Sequence, residues 1–112
     1  MTTKATIKVS QLKHTTDTEF YLEVDGHPVD YVVWARENTA KNIEYWLNVW
    51  MRQVGFVTPV LFTCQDGATI RLADTGNGAI FATIFDGADN VEVEFDRATA
   101  EYIQTTIRGI YA

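Results

Sequence analysis

Apolar side chains recur with a helical period along one long segment in the middle of the chain, Asn38–Val54. Their intervals of three and four residues place them on one side of an α-helix. Asn38 or Thr39 is positioned to cap the exposed amides at its start, and Gly55 to end it. The pattern predicts a helix that buries two tryptophans. The apolar residues on this side are Ile43, Trp46, Leu47, Trp50, Met51 and Val54.

Seven shorter segments alternate apolar and polar residues or carry short apolar runs between turns, and both patterns are typical of β-strands. The dipeptides Asp25-Gly26, Asp66-Gly67 and Asp86-Gly87 predict tight turns between several of these segments. Pro28 cannot donate a hydrogen bond to a strand ladder, so it is expected just outside the strand that follows it. We predict strands at 5–10, 20–25, 29–34, 56–64, 69–73, 79–85 and 91–95.

A second helix is predicted at the end of the chain. Asp96 is a natural N-cap for it, and Gly109 is expected to end it. Its apolar side consists of Ala100, Ile103 and Ile107.

The elements therefore follow the order β-β-β-α-β-β-β-β-α. We expect a single α+β domain over residues 1–112, an antiparallel β-sheet with two helices packed on one face. The last four strands, joined by short turns, are expected to form a meander. The patterns leave open the strand order and whether the first three strands join the same sheet.

The strand predicted at 29–34 has more apolar residues than one buried side requires. If Val29, Tyr31 and Val33 point to the core, Val32 and Trp34 must point away from it. A sheet covered on one side alone normally has polar residues on the other. We therefore expect this outer side to be covered by the chain itself, by a second copy or by a partner.

The strand predicted at 79–85 shows the same excess, because both of its alternating sets of residues are largely apolar. Aromatic side chains beside an acidic rim have the composition of a binding interface. A strongly curved sheet, or a sandwich that closes on its own core, is the alternative explanation. The apolar candidates for a partner or dimer interface are Tyr21, Val32, Trp34, Leu61, Phe81 and Phe85.

The chain carries a formal net charge of −6, which argues against direct binding to nucleic acid. In the strands predicted at 20–25 and 91–95 the carboxylates alternate with apolar residues and so point outward, about 7 Å apart along each strand. Such rows complement a basic surface on a partner protein. Solvated strands that resist aggregation are the alternative. The acidic candidates are Glu19, Glu23, Asp25, Glu92, Glu94 and Asp96.

Residues that could support catalysis or metal binding are few. Cys64 lies in a predicted strand without a basic neighbour that would lower the pKa of its thiol, and His14 and His27 are not spaced as zinc ligands. Residues 74–76, Asp-Thr-Gly, resemble the aspartic peptidase motif, but the later apolar-apolar-Gly segment is absent and turn chemistry explains the tripeptide. Residues 86–90 lack the ligand pattern of a calcium loop. We predict no catalytic residues, no metal and no cofactor.

The leading hypothesis is a small acidic protein-binding module. Its expected role is that of an inhibitor or immunity-type antagonist, from a phage or a bacterium, of a basic partner that itself binds nucleic acid. One alternative is a small-molecule-binding or enzymatic domain with an aromatic pocket; another is a homodimeric subunit of a larger assembly, joined around Trp34 and Phe81. The pocket would be lined by Tyr31, Trp46, Trp50 and Phe62.

No apolar run approaches the length of a transmembrane helix, so we expect no membrane contact. The first twelve residues alternate polar and apolar side chains instead of forming a charged segment followed by an apolar one. A single cysteine excludes an internal disulfide and fits a reducing compartment. We expect a cytoplasmic protein.

Overall fold

A computed structural model describes residues 4–52, 59–87 and 89–112, and its elements follow the predicted order. The α+β class and the antiparallel pairing are both confirmed. The strands are β1 (Ala5–Gln11), β2 (Thr18–Val24), β3 (Tyr31–Ala35), β4 (Val60–Thr63), β5 (Thr69–Asp74), β6 (Ile80–Asp86) and β7 (Asp89–Phe95). The helices are α1 (Glu37–Arg52) and α2 (Arg97–Ile110), and a short 3₁₀ turn occupies Gln65–Gly67.

The strands form two separate sheets. One has the order β1-β2-β3 and the other β4-β5-β6-β7, and every pairing joins strands that are neighbours along the chain. The meander predicted for the last four strands is therefore confirmed. The first three strands do not join it and form a smaller meander of their own.

The loop between β2 and β3 is longer than the two-residue hairpin that Asp25-Gly26 predicts. Gly26 does have positive φ, but β3 begins only at Tyr31. Pro28 lies outside the strand, as predicted. The prediction that Val29 points to the core is wrong, because this residue precedes the strand and is 58% exposed.

Helix α1 begins two or three residues earlier than the predicted caps, Asn38 or Thr39, require. Its first residue is Glu37, and the amide of Ala40 already donates to the carbonyl of Arg36. Asn38 and Thr39 thus lie within the first turn and do not cap the helix. The predicted end at residues 54–55, and residues 56–58 of the next strand, lie outside the described residues. On the predicted apolar side Ile43, Leu47 and Trp50 are buried, and Trp46 and Met51 are partly buried.

Helix α2 begins as predicted and ends later. The side chain of Asp96 accepts a hydrogen bond from the amide of Thr99 at 2.8 Å, which is an N-cap. Gly109 is within the helix and does not end it, since the amide of Tyr111 still donates to the carbonyl of Ile107 at 3.2 Å. The predicted apolar side is confirmed, and Gln104 is buried beside it.

Both sheets and both helices contribute to one core. A cavity of about 20 Å³ at its centre is lined by ten apolar side chains, which come from all four of these units. The inner side of each sheet therefore faces the same core as the helices. These lining residues are Ile7, Phe20, Ile43, Leu47, Ile70, Leu72, Ala82, Ile84, Phe95 and Ile103.

Polar contacts also connect the two sheets. The hydroxyl of Tyr31 in β3 donates to Asp89 Oδ2 in β7 at 3.0 Å, and Gln65 Nε2 donates to Asp17 Oδ2 at 2.5 Å. Burial and the hydrogen bond to Asp89 raise the pKa of Tyr31 above its ordinary value. The relative position of the sheets is thus set by hydrogen bonds at their margins as well as by the core.

Candidate protein-binding faces

Each sheet has one side that faces away from the core. Because side chains alternate along a strand, this side can be read from the burial pattern of each strand. The three-strand face consists of Thr6, Lys8, Ser10, Glu19, Tyr21, Glu23, Val32 and Trp34. The four-strand face consists of Leu61, Thr63, Thr69, Arg71, Ala73, Phe81, Thr83, Phe85, Asn90, Glu92 and Glu94.

On the three-strand face, aromatic side chains donate hydrogen bonds to carboxylates. Trp34 Nε1 donates to Glu19 Oε1 at 3.0 Å, and these residues are directly opposite each other in β3 and β2. The Tyr21 hydroxyl donates to Asp30 Oδ2, and this hydrogen bond is the main cause of the raised pKa of Tyr21. Val32 and Trp34 are each 37% exposed, so their predicted outward direction is confirmed.

The remaining carboxylate of the three-strand face also has a partner. Lys8 Nζ lies 3.9 Å from Glu23 Oε1 on the neighbouring strand. Both side chains are largely exposed, so this ion pair contributes little to stability. It does reduce the negative charge that Glu23 presents to a partner.

The four-strand face is centred on β6. Ile80, Ala82 and Ile84 point to the core, so the other set of this strand points outward. Phe81 and Phe85 are half-buried, and Thr83 between them is only 8% exposed. The structure thus places Phe81 and Phe85 on the outer side of β6, a choice that the sequence pattern leaves open.

Partly exposed aromatic side chains flank Thr83 at the centre of this face. Its rim is open, with Leu61 in β4 60% exposed and Arg71, Glu92 and Glu94 also exposed. Thr83 lies opposite Arg71 in β5 and opposite Glu92 in β7.

The carboxylates of β7 differ from those of the three-strand face. Glu92 lies opposite Thr83, and Glu94 lies opposite Phe81. Within the described parts of the chain, neither carboxylate accepts a hydrogen bond from another side chain or forms a salt bridge. Two unpaired negative charges therefore lie directly beside the aromatic centre of the four-strand face.

The six predicted acidic residues do not form one surface. Glu19 and Glu23 lie on the three-strand face, and Glu92 and Glu94 on the four-strand face. The other two carboxylates lie beyond the ends of their strands, which are Val24 and Phe95. These two are Asp25, which is in the turn after β2, and Asp96, which caps α2.

The N-cap hydrogen bond also affects the pKa of Asp96. The hydrogen bonds from Thr99 hold the pKa of the Asp96 carboxyl below its ordinary value, because they favour the charged form. This side chain therefore has a structural role in the helix. An aspartate directly before an amphipathic helix is typical of an N-cap, so the sequence predicts this structural role.

Cys64, which directly follows β4, is a buried free cysteine. The thiol is 9% exposed, and burial raises its pKa to about 11. A thiol with this pKa is protonated at neutral pH and is a poor nucleophile. Among the described residues, no three His, Cys, Asp or Glu side chains are grouped closely enough to hold a metal ion.

None of the four aromatic residues of the pocket hypothesis lines the cavity in the core among the described residues. Trp50 Nε1 donates to Asp74 Oδ1 at 3.2 Å, and Tyr31 donates to Asp89. The cavity of about 20 Å³ between α1 and the sheets is lined by aliphatic side chains and by Phe20 and Phe95. Ligand sites usually have volumes of about 300 Å³ or more, so this cavity is too small for a metabolite.

Sequence reasoning did not identify Arg71 as part of the four-strand face or Asp30 as the hydrogen-bond partner of Tyr21. Arg71 alternates with core residues, so the sequence indicates that it points outward. Only the register between the strands shows which residues lie opposite it.

No helix in the described ranges is long and apolar enough to span a membrane. No protein-family model matches the sequence, and no curated protein or solved structure shows significant similarity to it.

Proposed function

We propose that this protein is a non-enzymatic binding module that docks its four-strand face on a basic surface of another protein. The observation that carries the proposal is the combination of Phe81 and Phe85, half-buried at the centre of an open face, with the unpaired carboxylates Glu92 and Glu94. Aromatic residues at the centre of a patch, surrounded by charged residues, are typical of protein interfaces.

Electrostatics favour the four-strand face over the three-strand face. A basic group that approaches Glu19 must compete with the indole of Trp34, and one that approaches Glu23 must compete with Lys8. Glu92 and Glu94 have no such partner to lose. A cation that binds Glu92 or Glu94 therefore displaces only water. A cation that binds Glu19 or Glu23 must also break an existing contact with another side chain.

The proposed role is that of an inhibitor or immunity-type antagonist. A formal net charge of −6 on a chain of 112 residues attracts a basic partner over a distance and accelerates its association. A basic surface on a protein often serves to hold nucleic acid. An acidic domain that covers such a surface blocks that use without needing catalytic residues of its own.

The test uses two charge-reversal variants as baits in affinity purification from the native host. One is Glu92→Lys/Glu94→Lys, and the matched control is Glu23→Lys/Asp25→Lys. Reversing two carboxylates adds four charges, so the formal net charge of both variants is −6 + 4 = −2. Any difference between them therefore reports on position and not on total charge.

We expect the wild type and the control to retain the same partner, and the Glu92→Lys/Glu94→Lys variant to lose it. Equal loss with both variants would indicate attraction by total charge alone. Loss with the control variant only would assign binding to the three-strand side. Either result would overturn the proposal.

A homodimer is the second candidate, and it has a specific observation in its favour. Val32 and Trp34 are each 37% exposed on the three-strand face, and Val29, which precedes β3, is 58% exposed. Sedimentation at two concentrations distinguishes a monomer from a dimer. If a dimer forms through this face, Trp34→Asp converts it to a monomer, and if it forms elsewhere the variant remains dimeric.

A further inference from the structure

On the four-strand face, residues directly opposite each other in β5, β6 and β7 form three rows across the strands. The rows differ in whether they contain an aromatic ring, a carboxylate or both. In the first row Phe85 lies between Thr69 and Asn90, so an aromatic ring is present without a carboxylate. In the second row Thr83 lies between Arg71 and Glu92, so a carboxylate is present without a ring. The third row is Ala73, Phe81 and Glu94. It alone among the three combines a ring with a carboxylate.

The geometry points to an arginine site at this third row. We infer that Phe81 and Glu94 together bind an arginine side chain of the basic partner and prefer it to lysine. The inference rests on the proposed function, since it specifies the chemistry of the partner at the same face. Side chains directly opposite on neighbouring strands have Cβ atoms about 5 Å apart, so one guanidinium can reach both residues.

The chemistry of the guanidinium fits this pair. It is planar, it is more weakly hydrated than an ammonium, and it stacks on aromatic rings while its N–H groups donate to a carboxylate. A lysine ammonium is a compact and strongly hydrated charge that does not combine these two contacts as well. Both cations are attracted equally by the net charge, so a preference between them reports on local contacts.

Neighbouring residues favour Glu94 over Glu92 as the carboxylate of this site. Arg71 belongs to the row of Glu92, and its positive charge opposes the approach of another cation. The row of Glu94 has Ala73 at the other side of Phe81, and a methyl group is too short to cover the ring. The half-buried Phe81 therefore keeps part of its ring open beside an unpaired charge.

The experiment uses two synthetic peptides that alternate cationic residues with valine and differ only in having arginine or lysine. Affinity is measured at low salt with the full chain, and backbone amide shifts locate the binding. We expect the arginine peptide to bind about fourfold more tightly, which is the effect of a cation–π contact at an exposed site. The shifts are expected in Ile80–Asp86 and Asp89–Phe95.

Three variants assign the preference to the pair. Glu94→Gln and Phe81→Leu are each expected to make the two affinities equal, while Glu92→Gln is expected to retain the arginine preference. Glu94 is exposed, so Glu94→Gln tests the site even if Phe81→Leu affects folding.

Equal binding of both peptides to wild type, with shifts at β6 and β7, would overturn the arginine preference and leave the proposed function standing. A preference that survives both Glu94→Gln and Phe81→Leu would overturn the site, as would shifts confined to other strands or no detectable binding. The proposed function itself fails in a different experiment, when the native partner binds the Glu92→Lys/Glu94→Lys variant normally.

Discussion

The two outer faces of this protein carry similar residues and use them differently. Each has aromatic side chains with carboxylates on the adjacent strand. On the three-strand face the carboxylates accept hydrogen bonds from Trp34 and Tyr21 or pair with Lys8. On the four-strand face Glu94 lies opposite Phe81, which has no polar hydrogen to donate, and Glu92 lies opposite Thr83.

This difference shows that an acidic sequence does not by itself locate a binding surface. Under the proposed function, a carboxylate that no other side chain contacts binds a partner more readily than one that is already paired. A phenylalanine next to a glutamate leaves the charge available to a partner, whereas a tryptophan or tyrosine uses it within the fold. The following predictions test this distinction, beginning with the largest expected effect.

The largest effect is expected from truncation of an aromatic residue on each face. Phe81→Ala should weaken partner binding by about 2 kcal/mol, or about thirtyfold, because central aromatic residues dominate interface energies. Trp34→Ala should leave the affinity within about twofold. Titration calorimetry with the purified partner measures both, and thermal unfolding confirms that each variant is folded. The reverse order of effects would assign binding to the three-strand face.

The next effect concerns Asp96, which belongs to the same acidic segment as Glu94 but caps α2. Asp96→Ala should lower the free energy of unfolding by about 1 kcal/mol, whereas Asp96→Asn should change it little, since asparagine caps equally well. Both variants should bind the partner normally. Urea unfolding and partner titration are the measurements, and normal stability of Asp96→Ala would contradict the capping role.

The lowered pKa of Asp96 gives this effect a pH dependence. A carboxyl with a lower pKa in the folded state stabilises the fold above its ordinary pKa, and this contribution disappears as pH falls through the folded value. The stability difference between wild type and Asp96→Ala should therefore shrink below about pH 4. A difference that grows on acidification would contradict the cap.

A change of similar size is expected from Tyr31→Phe, which removes one of the hydrogen bonds between the two sheets. The variant should lose about 1 kcal/mol of stability at neutral pH, because Asp89 keeps access to water and the loss is that of one hydrogen bond. The pKa of Tyr31 is raised in the folded state, so its contribution is present below pH 10 and is lost as pH rises above that. Alkaline unfolding curves should thus converge for wild type and variant.

The smallest predicted effect compares the same substitution on the two faces. Glu19→Ala should lower stability by about 0.5 kcal/mol because it removes the acceptor of the Trp34 indole. Glu94→Ala should have a smaller effect on stability, since no described side chain bonds to Glu94. Chemical unfolding of both variants under the same conditions tests whether a carboxylate contributes to stability on the three-strand face alone. Equal losses would remove the distinction.

Much of the fold follows from residue patterns. The element order, the last meander, the buried side of α1 and the cap of α2 all depend on residues close in sequence. Trp34 and Val32 point outward because they alternate with Tyr31 and Val33. These features are local, so periodicity and turn chemistry are sufficient to predict them.

The remaining features depend on contacts between distant residues. Periodicity could not decide which side of 80–86 is buried, since both sides are apolar, and it could not show that the strands divide into two sheets. The pairing of Trp34 with Glu19 depends on the register between β2 and β3. The difference between the two acidic rows therefore became visible only when the registers were known.

The most direct test of the central claim is to map the binding surface in solution. An isotope-labelled chain is titrated with the purified partner, and backbone amide shifts are followed in all described strands. The account predicts that the largest shifts occur in Ile80–Asp86 and Asp89–Phe95 and that Thr18–Val24 changes little. Shifts concentrated in Thr18–Val24 and Tyr31–Ala35, with β6 and β7 unchanged, would contradict it.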